Sequence, residues 1–552
     1  MSSFFATPRL PTPGLAYGDY PQRRAADDTA VWRALVAAAR TLGHTLRPAR
    51  TPHMPTPVQQ AYRTALAGLA TTAALSPAAA QVRARLRREG LSATGTGQAL
   101  ALAALVMQRT QGLMPYDTQV LAAWLMLQGQ LVEMATGEGK TVAAALAAAV
   151  AGLAGTPVHL LTANEYLVQR DEAWLAPFYA ALGLRSACVT AAHGGAERRS
   201  AWRADIVYTT ASQLAFDYLR DHLAQSGERD ARVLRAQAMA TQTDGAGTAS
   251  EGAALLPGLC LCLLDEADSI LLDEAVLPLI LAAPAGELDI AAYQRAYELA
   301  RTLRRELHYT LRPEERRAWL TEAGRVRINA AVAGAAGELQ PPRRACELVE
   351  AALAARLLYR RDHEYAVVQG ELQLIDELTG RIAAGRQWQG ALHPMVQIKE
   401  GLPPSPPTRT AAQITYQRFF PRYLHLAGMS GTLQEAQQEL RRLYGSTVRC
   451  VPLARPLRRR WLGQRCFATA VDKWQAVLQA VQQQTRSGRP VLVGTESVAA
   501  SLHLSALLQR AGVKHQLLNA TQDSGEAQQV ALAGRSGCVT VATNMADRKS
   551  VV

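Results

Sequence analysis

The sequence predicts an α/β protein whose core is a parallel sheet covered by helices, and three observations carry that reading. A phosphate-gripping run, MATGEGKT (Met134 to Thr141), stands between the apolar lead-in Leu131-Val132 and the long apolar stretch Val142 to Leu153. That is the strand, loop and helix such a loop requires. Short apolar runs then alternate with helical or polar sequence: Val158 to Thr162, Ser186 to Thr190, Ile206 to Thr209 and Leu259 to Leu264. An acidic pair, Asp265-Glu266, follows the last of these runs, at the position where a parallel sheet presents its ligand-binding edge.

The elements follow in chain order. Residues 1–57 read as a Pro- and Arg-rich arm with one helical patch around Ala30 to Leu42. Residues 58–283 read as a first nucleotide-binding lobe, whose helical N-terminal part runs to about residue 110 and is interrupted near Gly90 to Gly97. Inside this lobe, Ala231 to Leu256 is rich in Ala, Gly, Thr and Gln and reads as a flexible excursion. From 284 to 408 the pattern changes to charged helical sequence and then a strand pair, EYAVV and ELQLID, turned at Gln369-Gly370. This stretch reads as an inserted domain, ended by the stiff connector PPSPP, Pro403 to Pro407. Residues 409–455 return to the first lobe, and 456–552 read as part of a second lobe with VLVGT, Val491 to Thr495, as its clearest buried strand.

Composition bounds the function. The 552 residues carry 59 Lys and Arg against 46 Asp and Glu, a formal net charge of +13. A chain of this length accommodates roughly three or four domains. The positive balance either merely solubilises the chain or favours acidic partners: nucleic acid, anionic headgroups or an acidic protein surface. Seven scattered Cys, with Cys260 and Cys262 inside a buried-strand pattern, fit a reducing cytoplasm and give no zinc spacing. The first residues show no export signal, and no run of 18 apolar residues occurs, so membrane contact is expected to be peripheral.

The chemistry is read residue by residue. Gly137 and Gly139 let successive backbone N–H groups converge on a phosphate, Lys140 supplies a point charge, and Thr141 offers its hydroxyl to Mg²⁺. Met134 stands where the strict pattern wants Gly, so the motif alone is a near miss. Asp265 is placed to hold Mg²⁺ through its water shell and Glu266 to orient or deprotonate an attacking water. Gln119, in MPYDTQ, has an amide that both donates and accepts, which suits an adenine edge as well as it suits a surface helix. TANEYLVQRD and VYTTASQLAFDYLRD serve either to grip an extended polymer or as ordinary helix starts, and GMSGT (Gly428 to Thr432) either couples two lobes or is a plain turn.

In this order the motifs resemble the SecA family, the ATP-driven motors of bacterial protein export. The resemblance runs from about Arg109 to Met545, through PYDTQ, MATGEGKT, VHLLTANEYLVQRD, ADIVYTTASQLAFDYLRD, LLDEADSILLDEA, IDELTGR, AAGRQWQGALH, KEG, LAGMSGT, VLVGTESV and ATNMA. It implies two RecA-like parallel-sheet motor lobes of the helicase superfamily type, the second incomplete, with an inserted α+β preprotein-binding domain. It further implies that Gln119, Gly137, Glu138, Gly139, Lys140, Thr141 and Arg548 bind ATP, that Thr141 and Asp265 serve Mg²⁺, and that Asp265 and Glu266 serve hydrolysis. The implied partners are the SecY channel complex, unfolded preproteins and anionic phospholipids, on the cytoplasmic face of the inner membrane. A homodimer stays open, and the insert argues against nucleic acid. Competing readings are a DEAD-type RNA or DNA helicase and an ATP-binding adaptor without turnover.

Departures from the family pattern favour a divergent paralogue: Ala135 beside the phosphate loop, Ala267 in DEAD, Val276-Leu277 after DEA, and LNATQD (Leu518 to Asp523) without its usual His. After ATNMA the family continues with a Gly-Arg-Gly-Thr-Asp turn, an Arg-rich segment, a helical scaffold and a two-helix finger. Here Asp547 to Val552, DRKSVV, follow instead, and only Arg548 coincides with a family position. The six residues match the translation of a common sequencing-adapter oligonucleotide, so read-through is expected and a genomic sequence across the Ala546 codon tests it. Arg groups of the kind missing here are worth on the order of 10³ to 10⁵ in rate, so the sequence predicts slow hydrolysis.

Overall fold

The structure is a computed structural model that describes residues 10–11, 22–23, 52–70, 75–226, 255–284, 289–334, 339–361, 363–368, 370–375, 382–383, 387–388, 390–406, 408–458, 460–518 and 532–543. The expectations for the arm, for the excursion from Ala231, for DELTG, for most of LNATQD and for the tail with Arg548 therefore fall wholly or mostly outside the described residues. The chain divides into two compact units. One contains the described residues up to Leu281 together with Ala412–Arg460, and the other those from Ala282 to Ala411 and from Trp461 onward.

The first unit holds strands β1 (Leu131–Glu133), β2 (Val158–Thr162), β3 (Ser186–Cys188), β4 (Ile206–Thr210) and β5 (Leu261–Asp265). The chain leaves toward the insert along β6 (Pro278–Pro284). The insert contributes β7 (Tyr309–Arg312), β8 (Arg317–Leu320), β9 (Tyr365–Val368), β10 (Glu371–Ile375) and β11 (Ile382–Ala383). It returns along β12 (Thr408–Thr415), which pairs with β6, and the first unit is completed by β13 (His425–Ser430) and β14 (Val448–Cys450). The seven-stranded sheet has the order β14-β1-β13-β5-β2-β4-β3, with every neighbouring pair parallel.

Alternation along these strands feeds two cores. Leu261 and Leu263 of β5 join one face with Leu146, Leu160 and Phe178. Cys262 and Leu264 join the other with Trp202, Leu214 and Phe419. Burial on both faces is what continuous apolar strands of a parallel sheet require. On the first face the helices Ala93–Gln111 and Lys140–Leu153 bury nearly their whole circumference, and their Ala content lets backbones approach closely.

The break expected from Gly90 to Gly97 is confined to residues 90–92, because Ser92 caps the next helix by accepting Gly95 N–H at 3.1 Å. Gly97 therefore lies inside that helix. A Cβ there would stand 2.7 Å from Val58 O and from Ala61 Cβ, so glycine keeps the helix Thr56–Ala70 in backbone contact. Among the described residues no helix is long and apolar enough to cross a membrane.

The second unit contains two separate cores. In the insert, the helix Pro342–Leu357 packs Leu348, Val349 and Leu353 against Tyr293, Ile328 and Met395. The strand pair read from EYAVV and ELQLID is present, β9 running antiparallel to β10, with Gly370 at φ 82° in the turn. The C-terminal segment forms a three-stranded parallel sheet of β15 (Val491–Thr495), β16 (Gln516–Leu518) and β17 (Val539–Thr543), in the order β15-β17-β16. Here one expectation is corrected: β15 is not fully buried. Val491 and Val493 pack on Val481, Leu504 and Leu508, whereas Leu492, on the opposite face, is 52% exposed.

Candidate nucleotide-binding site

Sheet register places the candidate residues. Glu133, the last residue of β1, stands opposite Ser430 of β13, and Met429 stands opposite Asp265 of β5. The C-terminal ends of three adjacent strands thus bring the phosphate loop, GMSGT and the acidic pair to one sheet edge, the ligand-binding edge of such sheets. A cavity of about 450 Å³, lined by Gln128, His425 and Thr447 among others, lies where β1, β13 and β14 begin and holds none of these residues.

The loop has the backbone a phosphate site needs. Gly137 (φ 84°) and Gly139 (φ 76°) adopt the left-handed region, and Gly139 caps the helix Lys140–Leu153, whose N-terminal amides point out of the helix. No heavy atom lies within 4 Å of a Cβ built on Gly137, so that side of the loop is open. Lys140 Nζ reaches Glu266 Oε1 at 2.7 Å, and both side chains are largely buried. Glu266 is held there in a left-handed backbone conformation, φ 54°. Such a conformation costs a non-glycine residue on the order of 1–3 kcal/mol and survives where the surroundings enforce it. Its second oxygen accepts Ser430 Oγ–H at 3.3 Å. Thr432 Oγ1 donates to Asp268 Oδ2, so GMSGT touches the acidic segment twice.

Asp265 is half-buried at the strand end, and its carboxyl is pushed up to about 7. Burial is the main cause, and the adjacent Glu266 charge adds to it. Lys140 opposes, and Asp171 pushes upward again. A carboxylate this reluctant to ionise in isolation is one that a bound cation stabilises, so the donor set fits Mg²⁺. Magnesium is commonly held by one or two carboxylates plus substrate phosphates. Among the described residues no cluster of three or more His, Cys, Asp or Glu poised for a metal occurs.

Gln119 lies against the loop. Its Oε1 accepts Tyr116 N–H at 2.9 Å and its Nε2 donates to Glu138 O at 2.9 Å. An amide offers two donors and two lone pairs, so one of each is left for a base edge. The Glu138 carboxylate is committed elsewhere, with Oε2 accepting Ala454 N–H at 2.8 Å. Arg455 donates to Tyr116 Oη at 2.8 Å and lies 5.6 Å from the centre of that ring. Sequence reasoning quoted the blocks containing Ser430 and Tyr116 without choosing those residues, and passed over Glu133, Ala454 and Arg455. The Glu133 carboxylate accepts the backbone N–H groups of Leu433 and Gln434 at 2.7 and 2.5 Å, a role that no local pattern announces.

Comparison with known proteins decides the family. The SecA DEAD-like domain matches residues 56–441 and the SecA P-loop domain matches residues 456–551. The chain belongs to the SecA family. It is 39% identical to protein translocase subunit SecA 2 of Nitrosospira multiformis, over 97% of this chain and 80% of that protein. With SecA 2 of Bordetella avium the identity is 42%, over 88% of this chain and 72% of that one. Against SecA of Gloeobacter violaceus it is 37%, over 85% of this chain and 47% of the longer relative. SecA membership accounts for the α/β fold with its seven-stranded parallel sheet, and it places the chain among nucleotide-binding ATPase motors.

Proposed function

We propose that this chain is the motor part of a preprotein translocase, coupling ATP binding and hydrolysis to movement of unfolded preproteins through the SecY channel. The observation that carries the reading is the convergence of Lys140, Glu266, Asp265 and Ser430 at one sheet edge in a chain of the SecA family. In this reading the loop amides after Gly137 and Gly139, with Lys140, grip the phosphates, and Gln119 reads the base. Magnesium, when bound, supplies positive charge to the transferring phosphoryl group, and Asp265 and Thr141 are the residues that would hold it. Glu266, once Lys140 turns to the phosphates, is freed to orient and deprotonate the attacking water. The departures at Ala135, Ala267 and Val276-Leu277 support a specialised paralogue, in keeping with the SecA 2 relatives. Anionic lipid and the SecY channel complex are the partners that suit a charge of +13, with self-association as a further property to measure.

The test is ATP turnover of the purified protein with an unfolded preprotein, with polynucleotide and with neither. Turnover is expected to be slow, and to rise with preprotein and not with polynucleotide. Stimulation by polynucleotide alone would establish the helicase reading instead. Preprotein binding that is unaffected by ATP and by Glu266→Gln would establish an adaptor.

A further inference from the structure

The Glu138 side chain closes a ring of contacts among three separate stretches of chain. Tyr116 N–H donates to the Gln119 amide, and Gln119 Nε2 donates to the carbonyl of Glu138. The Glu138 carboxylate accepts Ala454 N–H, and the next residue, Arg455, returns to the Tyr116 hydroxyl. The ring joins the Gly137–Thr141 loop, Gln119 beside it, and the segment running on from β14. That segment is itself anchored to the loop's lead-in strand, since Val451 N–H donates to Glu133 O at 2.9 Å. It reaches Pro456, where the second matched domain begins, one residue after Arg455.

The geometry points to Glu138 as a positioning residue that makes ordering of the phosphate loop and docking of the segment Val451–Arg455 a single equilibrium. The inference rests on the nucleotide reading of the loop and adds to it a route from the loop to the chain that enters the second matched domain. A residue of the phosphate loop that spends its carboxylate on a backbone N–H over 300 positions away contributes little charge to a phosphate, and much to where that distant backbone sits. Because linkage is reciprocal, whatever nucleotide does to the segment, the segment does to nucleotide affinity by the same factor.

Hydrogen exchange on the whole chain, with and without a non-hydrolysable ATP analogue and Mg²⁺, tests this. In the wild type the analogue is expected to slow exchange in peptides covering the loop and in those covering Val451–Arg455, the latter by about fivefold or more. In Glu138→Ala the loop still responds and Val451–Arg455 does not. Glu138→Gln, which keeps an acceptor oxygen, restores the response, and Arg455→Ala weakens analogue binding by the factor lost at the segment. A Val451–Arg455 response identical in Glu138→Ala and wild type overturns the coupling while leaving the nucleotide site intact. A wild-type loop that does not respond to the analogue overturns the nucleotide reading and the coupling together.

Discussion

Replacing Glu266 by Gln should tighten nucleotide binding while abolishing turnover, and the size of the effect follows from the contact it alters. Lys140 Nζ and Glu266 Oε1 are 2.7 Å apart, with side chains 13% and 22% exposed, so the pair is only partly screened. Glu266→Gln turns this ion pair into a hydrogen bond in which only Lys140 is charged, and the charge–charge attraction lost in a pair so little exposed is worth about 1–2 kcal/mol. Nucleotide must draw Lys140 away from this partner. Glu266→Gln therefore lowers the cost of binding by about 1–2 kcal/mol, or roughly 5- to 30-fold in Kd. The same change removes the base, for a loss of about 10²- to 10⁴-fold in hydrolysis. Equilibrium titration with a fluorescent non-hydrolysable ATP analogue measures the first effect and phosphate release the second. An unchanged or weaker Kd in a correctly folded Glu266→Gln protein would show that the pair does not compete with nucleotide.

Two further outcomes follow from the geometry. His159, completely buried, is pushed down to about 3 by burial, with Nδ1 against the Tyr423 hydroxyl at 2.6 Å and its ring edge-on to Trp202. The unfolded chain binds a proton below about pH 6.5 that the folded one refuses until about pH 3, so stability falls as pH drops through that window. At pH 5 the cost is about 2 kcal/mol. Urea midpoints at pH 7 and pH 5 should differ less in His159→Phe than in wild type, and an equal difference would assign the acid sensitivity elsewhere. In Gly139→Ala, a Cβ would overlap Gln119 Nε2 on a backbone at φ 76°. The left-handed conformation costs about 1–2 kcal/mol before the overlap is counted, so analogue affinity should fall at least roughly tenfold with an unchanged circular dichroism spectrum.

Much of the first lobe was legible because its signals are local. Leu131-Val132, the two glycines and the Ala-rich helix lie within one strand, one loop and one helix, and each run from Val158 to Leu264 is long enough to declare a strand. What stayed hidden is what separates residues by hundreds of positions: Ser430 on Glu266, Ala454 on Glu138, Tyr423 on His159. Gly97 was misread for a different reason. Low helix propensity marks glycine as a break, yet here the missing Cβ is what lets two helices touch. VLVGT was read as buried because an unbroken apolar run does not reveal which faces are covered, and at Leu492 one face is open.

The order of strands in the large sheet bears on how the protein is made. β1 carries the phosphate loop, yet both strands that flank it, β13 and β14, are encoded about 300 residues downstream. While the ribosome is still translating the insert, β1 has neither neighbour, and the edge on which Asp265, Ser430 and Lys140 meet does not yet exist. A nascent chain is therefore unable to assemble this site until β13 and β14 have emerged. Mutations that slow or misroute synthesis of the insert should reach the motor as delayed maturation, with no change in the finished site.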